Sequence, residues 1–268
     1  MASNVEAAKR AAVVAGEIIL EAEIQTAVQS KGLGDYVTEV DRAAERAIAA
    51  SLSGADPSIP MVGEEGGGET ADRYWLVDPL DGTTNFLHGF FAVGVSIALI
   101  QDGAPVVGVV HAPFLGETYS ATRGGGAWLE TGGSTQRLAV SERPPASAVL
   151  ATGFPFRKKS LLPKHLAAVR GCLERFEDLR RPGAASLDLA WVAAGIFEGF
   201  FELNLSSWDV AAGALLVEEA GGRVSDWGGG PDYLSGNILA GSPAVHGALV
   251  EIAATAAVAA AAVTPPTG

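Results

Sequence analysis

Asp78 and Asp81 stand three residues apart where a short apolar strand, Trp75-Leu76-Val77, gives way to Pro79 and Gly82. Two carboxylates at the end of a strand can converge on one point. A hard divalent cation takes carboxylate and carbonyl oxygen, so that point suits magnesium-type chemistry. Pro79 is expected to turn the chain. Gly82-Thr83-Thr84 then opens a helical turn, where glycine lets backbone approach a ligand and free N–H groups attract an anion. A metal site and a phosphate cradle thus share one short segment. A plain turn with a helix cap accounts for one Asp and one Thr, but not for two of each.

Two further acidic positions lie at junctions between elements. Glu64 follows Gly63 at the end of a short strand, beside Glu65, and Asp209 opens the small-residue helix in Ser206-Ser207-Trp208-Asp209-Val210-Ala211-Ala212-Gly213. Taken singly, Asp209 is a cap, since a carboxylate in the first turn gains about 0.3–1 kcal/mol from the helix dipole. Glu64 and Glu65, taken singly, are solvated. Glu64, Asp78, Asp81 and Asp209 as a set make the case for a metal centre.

These residues need a framework. The periodicity predicts a helix over 4–29 with an alanine-rich face, broken by Lys31-Gly32-Leu33-Gly34. Residues 35–41 read as a polar crossing. A second helix runs from Thr38 to Leu52, with Thr38 and Asp41 at capping distance. Gly66-Gly67-Gly68 reads as a mobile surface loop. Strands are expected at 93–100 and 106–111 around a hairpin turn, then at 118–121, 127–129 and 136–140, which implies an antiparallel sheet. The second half alternates: strands at 148–152, 199–203, 222–225 and 238–240, with helices at 163–174, 185–194, 209–220 and 243–263. Such alternation implies layered α/β packing. The chain reads as one domain over 1–268. Subdomains over 1–145 and 146–263 would meet near Arg143-Pro144-Pro145.

Composition excludes several classes. The 268 residues are 48% hydrophobic and 18% charged, a globular balance, and the net charge is −13. Such a chain repels nucleic-acid phosphate, so any positive field for an anionic substrate must be local. Cys172 is the sole cysteine and reads as a buried hydrophobe in a reducing compartment. The charged N-terminal stretch does not read as a secretory leader, and the alanine-rich 252–263 is too short to span a bilayer. A cytoplasmic protein with no membrane contact is expected.

The motifs, in order, resemble the inositol monophosphatase family in its bacterial form. They are Asp35-Tyr-Val-Thr38-Glu-Val-Asp41, Gly63-Glu64-Glu65, Asp78-Pro-Leu-Asp81-Gly-Thr83-Thr-Asn, Gly183-Ala-Ala-Ser-Leu-Asp188, Gly199-Phe-Phe-Glu202 and Trp208-Asp209-Val-Ala-Ala-Gly. The likeness covers residues 4–260. It implies a five-layer αβαβα sandwich of the inositol monophosphatase / fructose-1,6-bisphosphatase type, a homodimer, and a phosphomonoesterase using two or three Mg²⁺. It implies metal ligation by Glu64, Asp78 and the Leu80 carbonyl at one site and by Asp78, Asp81 and Asp209 at a second, with a weaker third ion near Glu64. Catalytic roles fall to Asp41, Glu64 and Thr83. Substrate contacts fall to Asp81, Gly82, Thr83, Ala185, Glu202 and Asp209. Inositol-1-phosphate is the leading substrate. Histidinol phosphate, fructose-1,6-bisphosphate and 3′-phosphoadenosine-5′-phosphate belong to sister branches, and a regulatory protein-binding role is the alternative of another class.

Other residues are set aside. His88, close behind the Asp-rich motif, reads as a loop or rim histidine, and His111, His165 and His246 lack metal-ligand spacing. Gly124-Gly125-Gly126 lacks the Lys-Ser/Thr of a nucleotide loop. Arg180-Arg181 reads as a surface pair, and Glu218-Glu219 as a solvated face.

Overall fold

The computed structural model describes residues 3–22, 28–32 and 35–263. Alanines recurring at helical spacing give α1 (Asn4–Glu21) a narrow apolar face of Ala8, Ala11, Ala12, Ala15 and Ile19, all buried. The predicted extension of this helix to residue 29 is corrected. The face runs out at Ile19, α1 stops at Glu21, and Val28–Gly32 is strand β1 (residues 23–27 lie outside the described set). The expected polar crossing at 35–41 is also corrected, because Asp35–Thr38 is β2, paired antiparallel with β1. Leu33 and Gly34 of the predicted break lie outside the described residues.

Helix α2 (Glu39–Ala55) starts at Thr38, as the capping spacing requires. Next come β3 (Met61–Gly63), β4 (Arg73–Asp81) and the short α3 (Thr83–Leu87). Five strands follow without an α-helix between them: β5 (Gly94–Gln101), β6 (Ala104–Ala112), β7 (Glu117–Thr122), β8 (Gly126–Thr131) and β9 (Ser134–Arg137). The second half runs β10 (Val149–Thr152), α4 (Leu162–Arg175), β11 (Asp178–Arg180), α5 (Ala185–Ala193), β12 (Gly199–Glu202), α6 (Ser207–Glu219), β13 (Arg223–Ser225), β14 (Ile238–Gly241) and α7 (Pro243–Val263). Strand β11 has no counterpart in the sequence reading. Its three residues pair with β10 at the sheet edge and are too few to show alternation.

Two sheets organise the molecule. One has seven strands in sequence order β3 to β9, antiparallel except for the β3–β4 pair. The other has five strands in the order β11-β10-β12-β14-β13. Helices α1 and α2 cover the outer face of the large sheet around Trp75, Ile97 and Leu99. Helices α5 and α6 lie between the sheets, and every residue of α5 is buried. That explains why α5 and α6 are apolar all round rather than amphipathic. Helices α4 and α7 close the far side over Leu150, Phe201 and Leu239. The result is the alternating αβαβα sandwich expected above. It places the ends of β4 and β12 and the starts of α5 and α6 around one point.

Candidate active site

Pro79 does not end β4 as the sequence implied. The strand continues to Asp81 through a bulge, since Asp78 faces Ser96 and Asp81 faces Gly94, three residues against two. A proline is tolerated there because a bulge leaves one N–H out of the ladder. The extra residue re-aims the chain, and the Leu80 N–H donates to Asp78 Oδ1 at 3.0 Å. Strand β5 then serves both acids. The Ser96 hydroxyl, in register with Asp78, donates to the Trp208 carbonyl at 2.8 Å and ties down the entry to α6. Gly94, in register with Asp81, leaves room for Ser186, whose Oγ would lie 2.8 Å from a Cβ there.

Asp81 is held from the start of α5. The Ser186 N–H and hydroxyl donate to its Oδ2 at 2.7 and 2.6 Å. Gly82 follows with φ 90°, and a Cβ there would lie 2.9 Å from the Ala92 carbonyl oxygen, so only glycine fits. Thr83, the first residue of α3, donates through its hydroxyl to Asp41 Oδ1 and to the Leu80 carbonyl, each at 3.2 Å. Asp41 meanwhile accepts the Thr38 N–H at 2.8 Å and the Thr38 hydroxyl on Oδ2. The predicted Thr83–Asp41 pairing and the predicted cap are therefore one network. Asp209 lies in the first turn of α6, where its Oδ2 accepts the Ser206 N–H at 2.7 Å.

Glu64, Asp78, Leu80, Asp81, Gly82, Thr83, Ala185, Glu202 and Asp209 all line one cavity. Asp41 reaches it through Thr83. Every residue singled out for the site is thus brought together. Burial and the neighbouring Glu64, Asp81 and Asp209 charges hold the Asp78 carboxyl well above the usual carboxylate range. Burial and Asp209 push Asp81 up to about 7, and burial raises Asp209 itself. Glu202 is pushed up to about 8 by burial and by Asp209, against the opposing pull of Arg181. Its carboxylate fills the space where a Cβ on Gly153 would stand.

Such crowding signals negative charge with too little positive charge to balance it. Among the described residues, no group of three or more His, Cys, Asp or Glu side chains is arranged to hold a metal ion as it stands. The fit therefore rests on donor chemistry: four carboxylates and a carbonyl, all oxygen, as hard divalent cations require. Three of the four histidines are engaged elsewhere. His111 pairs with Thr118 at 2.9 Å, His246 with Ser225 at 2.9 Å, and His165 is packed among Phe154, Phe201 and Trp227.

A pH-dependent prediction follows from these directions. Groups raised on folding stabilise the fold when protonated, and that contribution is lost as pH rises from about 4, the unfolded value, through 7 and 8. A divalent cation offsets the loss by favouring the charged forms. Melting of chelator-stripped protein should therefore rise on adding Mg²⁺ by roughly 5–10 °C at about 100 times Kd. At that same fixed Mg²⁺ concentration the rise should be clearly larger at pH 8 than at pH 5.5, where protonation of the carboxyls weakens binding. Equal shifts at both pH values would contradict the assignment.

Some contributors have no local signature in sequence. Ser96 and Ser186 act across contacts more than 100 residues long. Arg157 and Arg181 line the same cavity as the acids. Arg180 and Arg181 both lie at the surface, as read, but Arg180 pairs with Asp178 whereas the exposed Arg181 lies beside Gly183 and also lines the cavity. Glu218 and Glu219 are also not merely solvated. Glu219 accepts the Gly124 and Gly126 N–H groups at 2.7 and 2.8 Å, which occupies the glycine run internally.

Comparison with known proteins places this geometry. Nus factor SuhB of Pseudomonas aeruginosa is 48% identical over 255 residues, covering 91% of this chain and 93% of that protein. Inositol-1-monophosphatase of Mesorhizobium japonicum is 44% identical over 229 residues, covering 84% of this chain and 85% of that one. Among solved structures, extragenic suppressor protein suhB from Bartonella henselae superposes with a TM-score of 0.87 at 40% identity, over 92% of this chain and 97% of that one. The Thermotoga maritima IMPase gives a TM-score of 0.84 at 31% identity, over 94% and 96%. The inositol monophosphatase pattern itself matches residues 1–259, motifs and framework together, and the chain belongs to that family.

Proposed function

We propose that this chain is a Mg²⁺-dependent phosphomonoesterase acting on inositol-1-phosphate or related sugar and polyol phosphates. Family membership supports a phosphatase, and the finer reading rests on one observation. Carboxylates raised by burial and mutual repulsion share a cavity with an oriented Thr83 hydroxyl. Glu64, Asp78 and the Leu80 carbonyl would hold one ion, and Asp78, Asp81 and Asp209 a second, with a third near Glu64. When bound, such ions supply the positive charge that acidifies water and stabilises a departing alkoxide.

The protein's own groups do the rest by positioning, which is most of what phosphoryl transfer asks of an enzyme. Because Asp41 accepts the Thr83 hydroxyl hydrogen, the Thr83 oxygen is left to accept from a water in the cavity. Glu64 joins this pair as the third catalytic group. The Gly82 and Thr83 N–H groups face the phosphate, and Asp81 borders it. Glu202, Ala185 and Asp209 receive the hydroxyls of the cyclitol or sugar. Arg157 and Arg181 provide local cationic charge in an acidic protein. Among the described residues no helix is long and apolar enough to cross a membrane, and small soluble phosphate esters are the substrates proposed.

The relatives named Nus factor SuhB bring a second reading, a regulatory protein-binding role. The complete set of acidic ligands favours catalysis, since protein binding has no physical need of it. Phosphate release from inositol-1-phosphate, histidinol phosphate, fructose-1,6-bisphosphate and 3′-phosphoadenosine-5′-phosphate, with and without Mg²⁺, tests both. Preference for inositol-1-phosphate is expected. Preference for another ester moves the protein to a sister branch. No metal-dependent release from any of them would overturn the enzymatic reading.

A further inference from the structure

We propose that Glu45, a residue outside the site described above, is a positioning residue that sets the Glu64 carboxylate for cation binding; the proposal rests on the metal-dependent reading of the site. Glu45 lies on α2, one helical turn beyond Asp41, and its side chain is buried. Burial of a glutamate needs a compensating set of donors. Here the donors are backbone: the Glu65 N–H reaches Oε2 at 2.9 Å, and the Gly66 N–H reaches Oε1 at 2.6 Å.

The glycines of the turn show how closely the carboxylate sits. A Cβ on Gly63 would collide with Glu45 Oε2, and a Cβ on Gly66 would lie 2.6 Å from Oε1. Gly63 and Gly67 exchange backbone hydrogen bonds of 2.9 and 3.0 Å across the same turn. On its other side, the Glu64 N–H donates to the Val77 carbonyl at 3.1 Å, one residue before Asp78. The Glu64 backbone is therefore clamped between β4 and Glu45. The glycine-rich stretch expected to be a mobile loop is pinned at its start.

Helix α2 consequently touches the site twice. Asp41 orients Thr83, and one turn later Glu45 orients the Glu64 turn. Only a carboxylate offers two acceptors to two N–H groups in this geometry. Glutamine has the same shape but turns one of them into a donor facing a donor. Residues that orient metal ligands typically change metal affinity 10–100-fold when altered.

The test compares wild type with Glu45→Gln, using chelator-stripped full-length protein titrated with Mg²⁺. Melting temperature and phosphate release from inositol-1-phosphate are both read. The half-saturating Mg²⁺ concentration should rise about 10-fold or more in the variant by both readouts. The kcat at saturating Mg²⁺ should stay within a few-fold of wild type. A lowered metal-free melting temperature with an unchanged Mg²⁺ midpoint would overturn the proposal and leave Glu45 purely structural. Should Glu45→Gln not fold, Glu45→Asp keeps the charge but falls one methylene short of the turn, and an unchanged midpoint there overturns the proposal equally. Wild type showing neither a Mg²⁺-dependent melting shift nor release would overturn the metal reading underneath, an outcome distinct from a normal wild type with an unaffected variant.

Discussion

Asp78→Asn is expected to lower kcat by about 10³-fold or more, at least ~4 kcal/mol of barrier, while the fold persists. The separation of these two effects is the informative part. Asp78 is buried, and Glu64, Asp81 and Asp209 all disfavour its ionised form. An amide keeps the side-chain oxygen that accepts the Leu80 N–H at 3.0 Å and removes one charge from the crowd. Metal-free Asp78→Asn should therefore melt at or above the wild-type temperature at pH 8, and the added stability from Mg²⁺ should vanish. Steady-state kinetics and thermal melts with and without Mg²⁺ read both parts. Near-wild-type turnover would sink the role of Asp78 as the shared ligand. Lost turnover with a collapsed metal-free melt would mean that Asp78 is structural instead.

Thr83→Ala should lower kcat by about 10²-fold with KM changed by no more than a few-fold, as befits the loss of a group that handles a proton in the transition state. The stability cost should be small. One hydroxyl hydrogen is shared between Asp41 Oδ1 and the Leu80 carbonyl at 3.2 Å each, geometry at the long end for O–H donors. Asp41→Asn is the contrasting variant. It disturbs the same pairing but also the bonds from Thr38 that cap α2, so about 1 kcal/mol of stability should go with the activity. An unchanged kcat in Thr83→Ala would remove the hydroxyl from water activation. A rise in KM with kcat unchanged would make Thr83 a substrate contact only.

Much of this site is legible in the chain because its parts are local. Asp78, Asp81, Gly82 and Thr83 fall within six residues, and their relation follows from a strand end and a helix start. Thr38 and Asp41 announce a cap by spacing alone. The succession of strands in the first half could also be read, as an antiparallel sheet, from apolar runs separated by turn residues. The missed features are those in which one residue acts on another far along the chain. Nothing near Ser186 says that it will hold Asp81, and nothing near Ser96 says that it will anchor Trp208. Glu45 looks like any charged residue of an amphipathic helix until the Gly63–Gly67 turn folds over it. Pro79 read as a turn because its locked φ and missing N–H usually end a strand, whereas a bulge accommodates both. Helix α1 was read too long because alanine and glutamate favour helix in isolation, while pairing with β2 decides the fate of residues 28–32.

The central claim is that four acidic side chains from β3–β4 and α6 form a shared centre for divalent cations. Anomalous diffraction from crystals soaked with Mn²⁺ tests it most directly. The account predicts at least two peaks, one within reach of Glu64, Asp78 and the Leu80 carbonyl, and one within reach of Asp78, Asp81 and Asp209. Ordered manganese elsewhere with none at these residues, in a protein that still releases phosphate, would contradict it.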